Sequence, residues 1–169
     1  MNKENKTSFH LEFSNGYKKI KNKVIPENWE IKNIGSILKV KHGKSQKEVE
    51  DIEGKYPILA TGGIIGRTNS FLYNKPSVLL GRKGTIDRPQ YIEEPFWTVD
   101  TLFYTEIKEN YYPKWIYYKF CTIPWKKYNE ATGVPSLSAS TIQSIKIEIP
   151  TYLEQKKNRL HPFHMGQGD

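Results

Sequence analysis

Arg82 and Lys83 stand side by side between Gly81 and Gly84, with Thr85 immediately after them. Glycines at both ends let the backbone turn sharply and approach a ligand closely, so that N–H groups and two cations converge on one point above the loop. The chemistry this suits is anion binding, phosphate above all. Other chemistry is weakly written. Glu106-Ile107-Lys108 downstream of Asp87 or Asp100 imitates the acid and E-x-K arrangement with which nucleases hold magnesium, since hard cations take carboxylate oxygens. His161 and His164 have metal-ligand spacing but no companion ligands, and Ser136 and Ser138 have no His in a triad pattern. Thr61-Gly62-Gly63-Ile64-Ile65-Gly66 is glycine-rich, yet its spacing fails both the dinucleotide and the P-loop templates. An adenine methyltransferase would need a cofactor loop and an Asn/Asp-Pro-Pro-aromatic pocket, and neither is written here. No cofactor is expected.

The elements that must position these residues can be traced along the chain. Ser77 to Leu80 and Val99 to Tyr104 read as buried strands flanking the Arg82-Lys83 loop. Trp29, Ile31, Ile34, Ile37 and Leu38 give an approximately helical or turn-like apolar face leading into a strand at Lys39-Val40-Lys41. Ser45-Gln46-Lys47-Glu48 has the form of a capping box, which predicts a helix of about two turns ending at Gly54. Pro113 opens a short aromatic helix through Trp115, Ile116 and Phe120, and Pro124 ends it. Ser138 caps another turn, Ile145, Ile147 and Ile149 alternate as a half-buried strand, and Thr151 to Glu154 form a second capping box. Pro162 limits that last helix to about ten residues. Residues 1–24 read as an arm, with a possible edge strand at Phe9, Leu11 and Phe13; residues 25–150 read as the domain, and residues 151–169 as a helix start and irregular tail.

With 169 residues, 37% hydrophobic and 26% charged, the chain suits one soluble domain with a proper core. No apolar run reaches membrane-spanning length, the start lacks a signal-peptide pattern, and the lone Cys121 cannot form an internal disulfide, so cytoplasmic residence is the expectation. The aromatic flanks of Cys121 suggest that it packs inside. Twenty-six Lys and Arg against eighteen Asp and Glu leave a formal charge of +8, which together with 13% aromatics favours a nucleic acid partner.

Several segments occur in a telling order: Ile25-Pro26 with Trp29; Tyr56-Pro57-Ile58-Leu59-Ala60-Thr61-Gly62-Gly63-Ile64-Ile65-Gly66; Ser77 through Ile86; Phe96-Trp97 with Asp100-Thr101-Leu102-Phe103; and Val134-Pro135-Ser136-Leu137-Ser138 followed by Ile147-Glu148-Ile149-Pro150 and Glu154-Gln155. As a set, over about Ile25 to Lys157, they resemble the target recognition domain of type I restriction-modification specificity subunits. The resemblance implies a non-catalytic α+β, or mixed α/β, module with a strand-rich core and short helices. Such a domain reads one half of a split double-stranded DNA site. Long helices in the family dock modification (methyltransferase) subunits, which methylate adenine with S-adenosylmethionine, and an endonuclease subunit joins the assembly. This chain holds one such domain, and beyond Lys157 it runs into Asn158-Arg159-Leu160-His161-Pro162, so a truncated C-terminal helix is expected, in a truncated, frame-altered or single-domain form with self-association as a half-subunit open to it.

The resemblance makes the Arg82, Lys83 and Thr85 loop part of a common framework, suited to phosphate contact or turn structure more than to base reading, because phosphate contacts position while base contacts specify. Thr61 with Gly62 and Gly63 is either a framework turn or part of the DNA face. Lys44, Ser45, Lys47, and Arg67 with Thr68 and Asn69 are the base-edge candidates, having the donor patterns that grooves reward. Arg88, Lys126 and Lys127 are candidates to follow a phosphate strand. Pro26, Trp29, Glu154 and Gln155 are the candidate partner contacts. Two other readings remain open at this stage: a stand-alone magnesium-dependent endonuclease, and a single-strand-binding module that stacks bases on Tyr111, Tyr112, Trp115, Tyr117, Tyr118, Trp125 and Tyr128.

Overall fold

The computed structural model describes residues 16–158. Phe9, Leu11, Phe13, His161, Pro162 and His164 lie outside them. The chain opens with a hairpin of β1 (Tyr17–Ile20) and β2 (Lys23–Pro26). Part of the expected arm is therefore regular structure, and the boundary drawn at residue 24 falls inside β2. Next come β3 (Glu30–Asn33), the single-turn helix α1 (Ile34–Ile37) and β4 (Leu38–Lys41). The apolar face expected from Trp29 to Leu38 is thus divided between a strand and one helical turn, with Ile34 and Ile37 buried by the turn.

The main sheet is antiparallel throughout, in the order β4, β10 (Leu102–Ile107), β7 (Ser77–Gly81), β8 (Gln90–Ile92). Every residue of β7 is buried, which explains an apolar run without polar alternation: the strand is covered on both sides. Val78 and Leu80 join the larger core with Phe103, Trp115, Phe120 and Trp125, while Leu79 joins a second core with Ile58, Phe96, Leu102 and Tyr104. The successive side chains of one strand point to opposite faces, so the sheet separates the two cores. Toward the far end of β7 side chains replace part of the ladder. Thr105 N donates to Ser77 Oγ at 2.9 Å and Val78 N donates to Thr105 Oγ1 at 3.0 Å, which satisfies two buried backbone donors.

The larger core is roofed by α2 (Pro113–Thr122) and α3 (Ala139–Ser144). Pro113 occupies the first turn of α2 as expected, and Ser138 caps α3 by accepting from Thr141 N at 3.1 Å. Trp115, Phe120 and Trp125 are core residues, and Trp125 Nε1 donates to Phe120 O at 2.8 Å. Rings so enclosed offer no stacking platform for bases. Cys121, by contrast, is exposed. Partial burial of its thiol raises the pKa, against a hydrogen bond with Tyr117 that lowers it.

A two-stranded sheet of β3 and β11 (Lys146–Ile149) supports the other side of this core, burying Ile147 and Ile149. Glu148 on β11 receives Lys23 of the first hairpin and Lys119 of α2, the latter at 3.2 Å. Burial alone would raise its carboxyl. The hydrogen bond from Lys23, a backbone N–H and the Lys119 ammonium outweigh that and hold it down at about 2.

The second core is closed by a three-stranded sheet in the order β6 (Gly63–Thr68), β5 (Tyr56–Ala60), β9 (Trp97–Thr98), with β5 and β9 parallel. The helix expected over Ser45 to Gly54 does not form. Glu50 N reaches Gln46 O at 2.9 Å, a single turn, but Asp51 N is drawn to Arg67 O at 2.9 Å and Glu50 bridges Thr68. The edge of β6 takes the Asp51 N–H that a further helical turn would use, and the Ser45 hydroxyl is left with a marginal 3.5 Å contact to Lys47 N. At the C-terminal side, α4 (Tyr152–Asn158) does start where the second capping pattern places it, with Thr151 Oγ1 accepting from Glu154 N at 3.3 Å.

Candidate nucleic-acid interface

The four residues Thr98 to Thr101 fasten three segments, each carrying candidate residues. Lys44 N donates to Thr98 O at 2.9 Å, and Trp97 Nε1 donates to Lys44 O at 2.9 Å. Leu59 O accepts Val99 N at 3.0 Å, which fixes the end of β5 just before Thr61. Arg82 N donates to Thr101 O at 2.8 Å, and its guanidinium Nε donates to Asp100 O at 2.7 Å. The contact with His42-Gly43-Lys44 is very close: a Cβ at Gly43 would lie 1.9 Å from Val99 O. Beyond the hub, Gly84 N donates to Pro135 O at 2.8 Å and Leu137 N to Arg82 O at 2.9 Å, so the Val134 to Leu137 segment braces the cationic loop. Gln90 Nε2 donates to Ala60 O at 2.8 Å and ties the neighbourhood of Arg88 to the same hairpin.

Lys44, Lys83 and Arg88 are exposed and, among the described residues, have no carboxylate within ion-pair distance. Arg82 is half-buried, with part of its guanidinium committed to the hub. Thr61 and Thr85 are half-buried in the same region. Lys126 and Lys127 are exposed; Lys126 pairs with Asp87 at 3.2 Å, an open pair of small energetic weight.

Arg67 and Asn69 lie elsewhere. Tyr56 pairs with Thr68 at the opposite end of the β5–β6 hairpin from Ala60 and Gly63, so these two side chains sit about 13 Å along the strand from the turn. Arg67 donates from Nε to Gly54 O at 2.8 Å and from Nη2 to Lys55 O at 2.6 Å. Asn69 accepts from Lys55 N at 3.1 Å and donates to Asp51 Oδ2 at 3.0 Å. Both hold the 51–55 loop in place, and that loop brings Asp51 and Glu53 to this end, with the Glu50 carboxylate beside Gly66. Their place among carboxylates does not suit a DNA contact. Ser45 and Lys47 are exposed on the connection between the two ends.

The candidate partner contacts gather around α4. Trp29 Nε1 donates to Glu154 Oε2 at 2.5 Å, and Trp29 N to Pro26 O at 3.0 Å. Gln155 is only 2% exposed; its amide accepts from Tyr112 N at 2.9 Å and donates to Pro150 O at 3.0 Å. Gln155 is thus an internal tie and presents no surface to a partner, while Tyr152 and Leu153 are exposed. The acids of the nuclease-like pattern are dispersed. Glu106 lies near the C-terminal end of β10 and Asp100 in the turn that precedes the strand, and among the described residues no group of three or more His, Cys, Asp or Glu is placed to hold a metal ion. Sequence reasoning missed the hub itself: Phe96-Trp97 and Asp100-Thr101 stood in the pattern, but only their partners reveal what they do.

A sheet between two cores, with cation-bearing segments fastened to the end of β9 and the turn that follows it, has the architecture of a binding module. The family described as type I restriction modification DNA specificity domain matches residues 26–159, and the chain belongs to that family. The chain is 27% identical to the type I restriction enzyme MjaVIII specificity subunit of Methanocaldococcus jannaschii, over 79% of this chain but 35% of that protein. It spans about a third of that relative's length. Its fold is that of the S subunit of a type I restriction-modification system from M. genitalium, with a TM-score of 0.67 at 20% identity, over 79% of this chain and 37% of the other. The HsdS subunit from Thermoanaerobacter tengcongensis is similar at a TM-score of 0.62 and 10% identity, over 88% of this chain and 40% of that one. Among the described residues, no helix is long and apolar enough to cross a membrane.

Proposed function

We propose that this chain binds double-stranded DNA and contributes sequence recognition to a type I restriction-modification specificity subunit, without catalysing a reaction itself. Modification and endonuclease subunits would supply the chemistry. The observation that carries this reading is the convergence of Lys44, Thr61, Lys83 and Arg88 with the half-committed Arg82 around Thr98 to Thr101, on a chain of the matching family. Cations held on short loops over a rigid sheet suit phosphate contact, and the hydroxyl and Lys groups beside them suit base edges. Lys126 and Lys127 extend the cationic surface. The dispersal of Asp87, Asp100 and Glu106 favours binding over magnesium-dependent cleavage. The test is selection of bound duplexes from a random pool by the full chain, followed by titration of the winning duplex against scrambled duplex and single strands. Enrichment of a defined motif with duplex preference supports the reading; equal binding of every duplex and single strand overturns it. Incubation of the same duplex with magnesium should leave it uncut.

A further inference from the structure

The turn of the β5–β6 hairpin carries an apolar feature that the fold itself does not use. Ile64 is 63% exposed and Ile65 is 51% exposed, although they are consecutive on a strand, where one side chain of such a pair ordinarily turns inward. The register explains it. Ile58 faces Gly66 while Leu59 faces Ile64, so Ile65 is the extra residue of a bulge, and bulges re-aim side chains. The two isoleucines stand on an edge strand, where adjacent exposed apolar residues invite unwanted association unless something covers them. Gly62 beside them is equally unexplained by the fold. A Cβ there would meet nothing within 4 Å, and its φ is not in the left-handed region, unlike that of Gly63 at +118°. Neither packing nor conformation inside this chain calls for glycine at 62.

Resting on the DNA-binding reading above, we infer that Ile64 and Ile65 are specificity residues that lie in the major groove against thymine 5-methyl groups, with the Gly62 backbone in close approach to the DNA. The occupant follows from charge and position. The isoleucines flank the turn whose supporting strand is fastened to the hub that also holds Lys44 and Arg82, whereas Asp51 and Glu53 sit in the 51–55 loop at the other end of the hairpin, with the Glu50 carboxylate beside Gly66 between the two ends. An apolar tip in a cationic surround fits a polyanion with an exposed methyl, and thymine is the base that presents one in the major groove.

The test uses the duplex selected by this chain from a random pool, in its thymine form and with deoxyuridine in place of every thymine, measured by fluorescence anisotropy with the full chain. Wild type should lose about tenfold in affinity on the uridine duplex, as for one lost base contact. An Ile64→Ser, Ile65→Ser double variant should bind the thymine duplex about tenfold more weakly, ignore the uridine substitution, and keep the wild-type salt slope and scrambled-duplex affinity, because no phosphate contact is removed. Gly62→Ala should melt at or above the wild-type temperature yet bind the selected duplex more weakly. Wild-type indifference to uridine, or a double variant that binds both duplexes as wild type does, overturns this inference while leaving DNA binding intact. So does a wild type that self-associates on a sizing column through contacts the double variant loses. A wild type that binds no duplex overturns the DNA-binding reading and this inference together, and is seen before any variant is made.

Discussion

The two ends of the β5–β6 hairpin are built from the same strands, yet they have opposite characters. At the turn, backbone atoms make most of the supporting contacts, with Arg82, Gln90 and Trp97 adding one side-chain bond each, and the side chains of Lys44, Lys83, Arg88, Ile64 and Ile65 project from a frame they do not hold together. At the open end the side chains are the frame: Arg67 and Asn69 bond the backbone of Gly54 and Lys55, and Asp51 and Glu53 stand in the adjoining loop. A polar residue's type therefore says little about its role until its partners are known. Arg67 has the better donor pattern for a base, and Lys83 has the better address.

The sharpest way to break the contrast is to separate the turn end from its hub. Gly43→Ala would place a Cβ 1.9 Å from Val99 O and 2.6 Å from Thr98 O, backbone atoms with little room to retreat. It should destabilise by about 3 kcal/mol or more, read as a lower denaturation midpoint at unchanged m-value. A site remote from both ends supplies a control of the next size. Glu148→Gln should cost on the order of 2 kcal/mol at pH 7, since it leaves Lys23 and Lys119 without their carboxylate. Because the Glu148 carboxyl is depressed to about 2, its stabilisation is complete above the ordinary Glu range and is lost as pH falls through the folded value. The gap between wild type and variant should accordingly close near pH 2, and an unchanged gap there would show that shape, not charge, is at stake.

Arg67→Ala should lower stability by about 1 to 2 kcal/mol through two lost hydrogen bonds to carbonyls, and leave duplex affinity within about twofold. Lys83→Ala and Arg88→Ala should do the reverse: melting within about 0.5 kcal/mol of wild type, weaker binding to all duplexes, and a log–log salt slope reduced by about 1 each. A loss of sequence preference in Arg67→Ala would erase the distinction between the ends. The smallest effect belongs to Thr98→Val. Thr98 Oγ1 is buried without a hydrogen-bond partner among the described residues, so removing it should be neutral or mildly stabilising, within about 1 kcal/mol by thermal unfolding.

Much of the scaffold was legible in the residues. β7 announces itself as an unbroken apolar run, β11 as alternating isoleucines, and α2 as a helix bracketed by Pro113 and Pro124, because each of these signals is local and agrees with its tertiary setting. The Ser45 to Glu48 capping box misleads for the opposite reason. The Asp51 N–H that would continue the helix is claimed by Arg67 O on β6, a bridge from Glu50 to Thr68 holds the segment to the same strand, and no local rule counts that competitor. The same limit applied to the candidate interface. Residue types nominated Lys83 and Arg67 alike, and only the partner of each guanidinium or ammonium sorts them. Ile64 and Ile65 escaped notice because their exposure arises from a one-residue bulge, which leaves no mark in an apolar dipeptide.

The segments around Thr98 to Thr101 are fastened chiefly by main-chain amides and carbonyls: Lys44 N, Leu59 O, Arg82 N, Gly84 N and Leu137 N. Main-chain groups are common to nearly every residue, proline's missing N–H apart. Positions 44, 64, 65, 83 and 88 can therefore be rewritten with small cost to folding, and the module is in effect a holder for interchangeable letters. A combinatorial library randomised at those five positions should remain mostly soluble and folded while its members diverge in the duplexes they retain.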